Sequence, residues 1–174
     1  MTRSTGGRRD EPIDGADGST HPSGVDGREV VDGREAVVFE DDGLPPGTPT
    51  TLGRLPRERR RLVLQCTSGR RFEGEWFGVP VTALLGAADA PDGTTHLLVE
   101  SADGFVACVS VADAGDAILA LEGEQFDGET AAKATPRLVG PNVDGPRAVK
   151  EVTRIVATSL RPGEDPAEYE RDPR

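Results

Sequence analysis

Lysine, cysteine, histidine and aromatic side chains are all scarce in this chain of 174 residues, and each scarcity excludes something. Only Lys133 and Lys150 are lysine among 20 basic residues, which face 31 acidic ones and leave a net charge of −11. Such a surface lacks the basic footprint that nucleic acid or an anionic membrane requires. Two cysteines, Cys66 and Cys108, cannot form the disulfide framework of a small secreted domain. The two histidines, His21 and His96, join no Cys/His/Asp group at zinc spacing. No apolar run reaches the roughly 18 to 20 residues that span a bilayer. Arg8-Arg9 is followed by Asp-Glu-Pro-Ile-Asp-Gly rather than by the apolar stretch of an export signal. The expected compartment is the cytoplasm, and the acidic, lysine-poor surface suits a salt-rich, halophilic one. Glycine is plentiful, but no G-x-x-x-x-G-K-[ST] phosphate loop occurs.

What is present is unevenly spread. The first 33 residues hold seven glycines and no aromatic residue, too little apolar surface to offset ordering entropy. Residues 1–33 therefore read as a disordered tail, 162–174 as another, and 34–161 as one working domain. Within it, Ala36–Glu40 and Arg61–Cys66 read as strands, the second preceded by a basic connector, Thr51–Arg60. Trp76–Pro80 turns the chain into a helix over Val81–Ala88, with Pro80 at its first position. His96–Glu100 and Phe105–Val111 form a hairpin about the Ala102-Asp103-Gly104 turn. Asp113 is expected to cap a helix over Ala114–Leu121. Arg137–Val139 and Ala148–Ala157 close the sheet. The fold class is mixed α+β, mainly β, with two short helices.

The chemistry concentrates in Gln65-Cys66-Thr67-Ser68-Gly69-Arg70-Arg71. Leu62, Leu64 and Cys66 alternate along a strand that ends in a polar loop. Neighbouring guanidinium groups favour the thiolate, the form that binds metals and attacks electrophiles. The same residues are also those of a half-buried cysteine followed by a basic turn. Cys108, between Ala107 and Val109, reads as a small buried side chain, and Asp92-Gly93 and Asp103-Gly104 as turn chemistry.

Four segments together resemble the molybdopterin-binding domain of the sulfite oxidase family over residues 62–158. Leu64-Gln65-Cys66-Thr67-Ser68-Gly69-Arg70-Arg71 resembles its L-Q-C-x-G-N-R-R loop. The run Trp76 to Leu85 resembles its W-x-G-V-P-L-x-x-L-L entry to a helix. Ser101-Ala102-Asp103-Gly104-Phe105 resembles S-x-D-G-Y, and Gly145-Pro146-Arg147-Ala148-Val149-Lys150 resembles G-x-K/R-x-V-K. The resemblance implies a molybdopterin cofactor, with Cys66 as the protein's ligand to molybdenum and Arg71 as an oxyanion contact. It also implies that Arg147 and Lys150 balance cofactor phosphate, while Arg70 pairs with backbone or a carboxylate on the cofactor side. A thiolate suits such a metal, and a planar guanidinium suits an oxyanion. The implied reaction is oxygen-atom transfer to or from a small oxyanion or a sulfoxide.

The sequence departs from the family pattern in places. No aromatic-rich N-x-F/Y-x-R-x-H stretch precedes Cys66, Lys133-Ala134-Thr135-Pro136-Arg137 replaces a His-Gly pair, Glu151 replaces a tryptophan, and Phe105 a tyrosine. A non-catalytic cofactor-binding or accessory module on the same fold is the alternative. With no haem or iron–sulfur motif, an enzyme of this kind needs a separate electron carrier, and a shortened domain invites a partner subunit or a homodimer.

Overall fold

The computed structural model describes residues 30–31, 35–40, 51–65, 69, 71–125, 136–143 and 145–173. Nine strands form two sheets. One contains β1 (Val30–Val31), β2 (Glu35–Glu40), β5 (His96–Ser101), β6 (Val106–Ser110) and β9 (Val152–Thr158), in the order β1-β2-β9-β5-β6. The other contains β3 (Glu58–Gln65), β4 (Arg71–Pro80), β7 (Ile118–Gln125) and β8 (Arg137–Val139), in the order β3-β4-β7-β8. The named pairings within both sheets are antiparallel. The helices are α1 (Val81–Ala87) and the single turn α2 (Val111–Ala114), joined by short 3-10 turns at Thr51–Arg54, Gly145–Arg147 and Pro166–Tyr169. The fold is thus mainly β with few short helices, as the sequence pattern predicts. No described helix is long and apolar enough to cross a membrane.

Alternation decides what each strand buries. Leu97 and Val99 of β5, Ala107 and Val109 of β6 and Ile155 of β9 meet Val79, Leu119 and Leu138 of the second sheet, with Val81 and Leu84 of α1, in one core between the sheets. The outer face of the second sheet carries a smaller cluster, Leu64, Trp76, Ile118, Ala120 and Val139. Trp76 lies flat on Gly123: a Cβ there would stand 2.2 Å from the indole ring.

Several expectations change. The helix predicted over Ala114–Leu121 is not one. Ser110, not Asp113, is the N-cap, its Oγ accepting from Asp113 N at 3.1 Å, and the helix stops at Ala114. From Ile118 the chain is β7, with Leu119 in one core and Ile118 and Ala120 in the other. A run buried on both faces shows no period, so a short apolar stretch reads equally as helix or strand. Trp76–Pro80 is the end of a ten-residue strand rather than a turn, and Pro80 is the N-cap of α1 (φ −56°, ψ 136°), one position earlier than expected. Ala148–Ala157 is broken at Glu151, whose φ of 49° separates a 3-10 turn from β9.

The tail readings change as well. Val30–Val31, inside the stretch read as a tail, pairs with β2 (Val30↔Ala36), while residues 1–29 lie outside the described residues. Residues 162–173 are not a structureless tail. Asp165 caps the turn Pro166–Tyr169, with Ala167 N donating to its Oδ1 at 2.9 Å, and Arg171 bridges Val106. Composition misses this because local capping and one strand edge, not an apolar core of its own, order the segment.

Two predictions follow from these packings. A Cβ on Gly78 would stand 2.1 Å from the Leu119 carbonyl oxygen, at the irregularity between Phe77 and Gly78 where β4 and β7 change register. Gly78→Ala is expected to lower stability by about 3 kcal/mol in urea unfolding, because backbone rather than a flexible side chain must give way. Cys108 is 1% exposed, and burial, then the Glu170 carboxylate, push its thiol up from 9.0 to about 11 against the opposing Arg147. Between pH 9 and 11 the unfolded chain therefore holds fewer protons at this site, so stability falls as pH rises, by about 2 kcal/mol. Denaturation at the two ends of that window should show a smaller loss in Cys108→Ala than in the parent.

Candidate functional site

The β3–β4 hairpin pairs residue for residue from Glu58↔Gly78 to Gln65↔Arg71, so residues 66–70 join two strands that end level. Alternating apolar residues make this hairpin. Leu62 and Leu64 face the Trp76 cluster, while Arg59, Arg61 and Val63 face the other way. Cys66 and Arg70 lie outside the described residues, and Gly69 between them takes a left-handed φ of 79°. The described residues thus place Gln65 and Arg71 level with each other on either side of the motif's loop.

Arg71 is the described member of that motif's cation pair. Its Nε donates to Gln65 Oε1 at 3.4 Å, and its side chain is exposed. Directly opposed residues share a sheet face, so Arg71 shares the face of Val63, Glu73 and Glu75 rather than that of Leu64 and Trp76. That face is a charged ladder: Arg59 pairs with Glu75 at 2.5 Å, Arg61 with Glu73, and the Arg59 guanidinium stands 5.6 Å from the Phe77 ring centroid. Val63, on the same face, is 56% exposed.

Arg147 and Lys150 sit elsewhere. Arg147 ends the 3-10 turn Gly145–Arg147 and is exposed, close enough to Cys108 to act on its thiol. Lys150 is exposed and bridges Arg137 through the backbone, next to the bond from Leu138 N to Val149 O at 3.0 Å. Register shows how far this is from Arg71. Arg137 is level with Ala120, which is level with Gly78, seven positions along β4 from Arg71. At the rise of a strand this is roughly 20 Å, before the width of two further strands is added. The structure does not bring Arg71 together with Arg147 and Lys150.

It does bring together two segments far apart in sequence. Ala102 N donates to Glu151 O at 2.9 Å, Ser101 is level with Val152, and Glu100 with Arg154. The turn Ser101–Phe105 is set by Asp103, whose Oδ1 accepts from Ser101 Oγ and, at 3.2 Å, from Phe105 N, with Gly104 at φ 84°. The segments resembling S-x-D-G-Y and G-x-K/R-x-V-K are therefore neighbours.

Sequence reasoning missed Arg137. It is 5% exposed, and its guanidinium stands 5.6 Å from the Trp76 ring centroid. Its backbone bridges that of Lys150. Trp76 Nε1 is itself buried without a hydrogen-bond partner. Buried N–H groups of that kind are rare and point to an acceptor. The available signal was Arg137's place directly after Pro136, opening a strand at the end of a polar stretch; the reading stopped at its role in closing the sheet. His96 is half-buried, its Nδ1 2.9 Å from Thr95 Oγ1. Among the described residues no three His, Cys, Asp or Glu side chains group to hold a metal ion.

The described donor set fits an anionic, polar ligand on the Arg137 side of the molecule. Arg137 and Lys150 stand level across a backbone bridge, with Trp76 beside Arg137, whereas Arg147 lies near Cys108 of the other sheet. A phosphate-bearing pterin is such a ligand.

Comparisons with known proteins agree. Among curated proteins no match was found. Among solved structures, the sulfane dehydrogenase SoxCD from Paracoccus pantotrophus matches with a TM-score of 0.50 and 24% identity, over 60% of this chain and 32% of that chain. The likeness is one of fold, and this chain spans about a third of the length of its structural neighbour. The family described as the oxidoreductase molybdopterin binding domain matches residues 48–164, a span that contains the hairpin, the Ser101–Phe105 turn, Arg137 and the 145–150 segment. The chain belongs to the oxidoreductase molybdopterin-binding domain family.

Proposed function

We propose that this chain is a molybdopterin-dependent oxidoreductase of the sulfite oxidase type, acting on a small oxyanion or a sulfoxide at a molybdenum ligated by Cys66. The observation that carries the reading is the position of the Cys66 motif between two strands of equal end, inside the matched span. A hairpin neck of paired backbone is a stiff mount, so a thiolate at its tip needs little reorganisation to meet a metal. When bound, the molybdenum–pterin group supplies the two-electron oxygen-atom chemistry.

The chain's own residues hold and orient. Cys66 offers a soft anionic donor. Arg71, steadied by Gln65 Oε1, offers an exposed planar guanidinium to an oxyanion at the hairpin end. Arg147 and Lys150 offer positive charge to the cofactor's phosphate, with Arg137 level with Lys150 across a backbone bridge. Arg70 pairs with backbone or a carboxylate on the cofactor side. In this reading residues 34–161 are the working domain, electrons leave or arrive through a separate carrier, and the protein works in a salt-rich cytoplasm. A partner subunit or a second copy completes the cofactor wall.

The separation of Arg71 from Arg147 and Lys150, by roughly 20 Å along the strands, favours a second reading: a non-catalytic cofactor-binding or accessory module. The two part on metal content. Protein expressed in a host that makes the cofactor, purified in high salt, should carry nearly one molybdenum and one pterin per chain, and Cys66→Ser should lose the molybdenum. Absence of molybdenum from both proteins, with unchanged circular dichroism, would sink the enzymatic reading and leave the accessory one.

A further inference from the structure

Strand edges are open templates for other strands, and among the described residues each sheet edge has its own protection. β1 is two residues long and β8 three, too short to recruit a partner. β3 is eight residues long but carries Glu58, Arg59, Arg60 and Arg61. β6, Val106-Ala107-Cys108-Val109-Ser110, has neither shortness of that degree, nor charge, nor proline. Its protection is another piece of the chain. Val106 N donates to Arg171 O and Arg171 N to Val106 O, both at 2.9 Å, and the turn Pro166–Tyr169 packs against β6. Val106 and Cys108, which stand outside the core between the sheets, are buried nonetheless.

Among the described residues, the backbone bonds of this covering to β6 are those at Val106. Gly163 (φ 93°) and the bond from Glu164 N to Arg161 O at 3.1 Å reverse the chain just before it. Glu168, Glu170, Arg171, Asp172 and Pro173 are all exposed. The reciprocal bonds to Val106 form an isolated bridge rather than a ladder. The segment also falls beyond residue 164, where the family match ends.

We propose that residues 164–173 form a strap that closes the β6 edge, and that the edge, once the strap is displaced, pairs with β6 of a second copy of this chain. An antiparallel β6–β6 pair is self-complementary about a two-fold axis. It sets no charge of β6 against a like charge, and it satisfies the same Val106 N–H and C=O that the strap satisfies. The 3-10 turn Gly145–Arg147 also packs against β6, so the end vacated by the strap, at Val106, is where pairing begins.

The test uses the 174-residue chain and two variants of it, all three with Cys66→Ser so that Cys108 is the one thiol. The first ends at Gly163. The second keeps the full length and carries Arg171→Pro, which removes the N–H that bonds Val106 O and leaves the rest of the strap in place. Light scattering over a concentration series is expected to show the full-length parent as a monomer and each variant passing to a species of twice the mass that does not grow further. At the lowest concentrations, where the variants are monomeric, maleimide labelling of Cys108 should run at least tenfold faster than in the parent. Variants that stay monomeric at every concentration overturn the proposal, whether Cys108 labels or not. Unbounded growth in mass overturns it as well, because it signals unfolding rather than a two-fold pair. If the truncated chain fails to fold, the Arg171→Pro comparison decides.

Discussion

The backbone ladder along β4 is the constraint on which the rest of the molecule hangs. β4 is ten residues long and interior, bonded to β3 over its first eight residues and to β7 from Gly74 to Pro80. Register in a sheet assigns every side chain to a face, and one slip would send Trp76 into the core between the sheets and Val79 out of it. The irregularity between Phe77 and Gly78 absorbs one extra residue of β7, so that Ala120 stays on the Trp76 side and Leu119 on the other. The same ladder delivers the hairpin neck at Gln65 and Arg71 and, at its far end, hands the chain to α1 through Pro80 and the bond from Val81 N to Ala117 O at 3.0 Å. The cysteine motif and the core helix are thus opposite ends of one strand.

Arginine does two different things in this protein. Arg59 and Arg61, exposed and paired across the hairpin with Glu75 and Glu73, contribute little to stability, since water and salt screen exposed ion pairs. Their value is in keeping a long edge strand charged. Arg137 is buried, lies over an indole ring and adjoins Lys150. A guanidinium keeps its charge in such a place, which an amine does not always do.

Backbone strain marks the same region. Glu151 adopts φ 49° without being glycine, at a cost of about 1 kcal/mol. Its carbonyl accepts from Ala102 N, which ties the strained corner to the Ser101–Phe105 turn. The corner lets the chain leave the β8 edge after Lys150 and enter the other sheet at Val152. Lys150 is therefore placed by a sheet-to-sheet crossing rather than by any element of its own.

Much of this was legible in the sequence. The strands at residues 36–40, 61–65, 96–100 and 106–110, the helix from Val81 and the mainly β class follow from alternation, turn residues and helical spacing, which act over a few residues and leave a local record. The four-segment resemblance pointed to the family that matches residues 48–164. Tertiary structure decided the rest. Ile118–Ala120 became a strand because two apolar faces were waiting for it, and burial on both sides erases the period that would have announced it. Arg137 gained its importance from Trp76, 61 positions earlier, and the order in residues 162–173 came from a strand edge at Val106. Local chemistry fixes which elements can form, but which side chains meet depends on register and on what covers each edge, and those contacts join residues that the sequence keeps far apart.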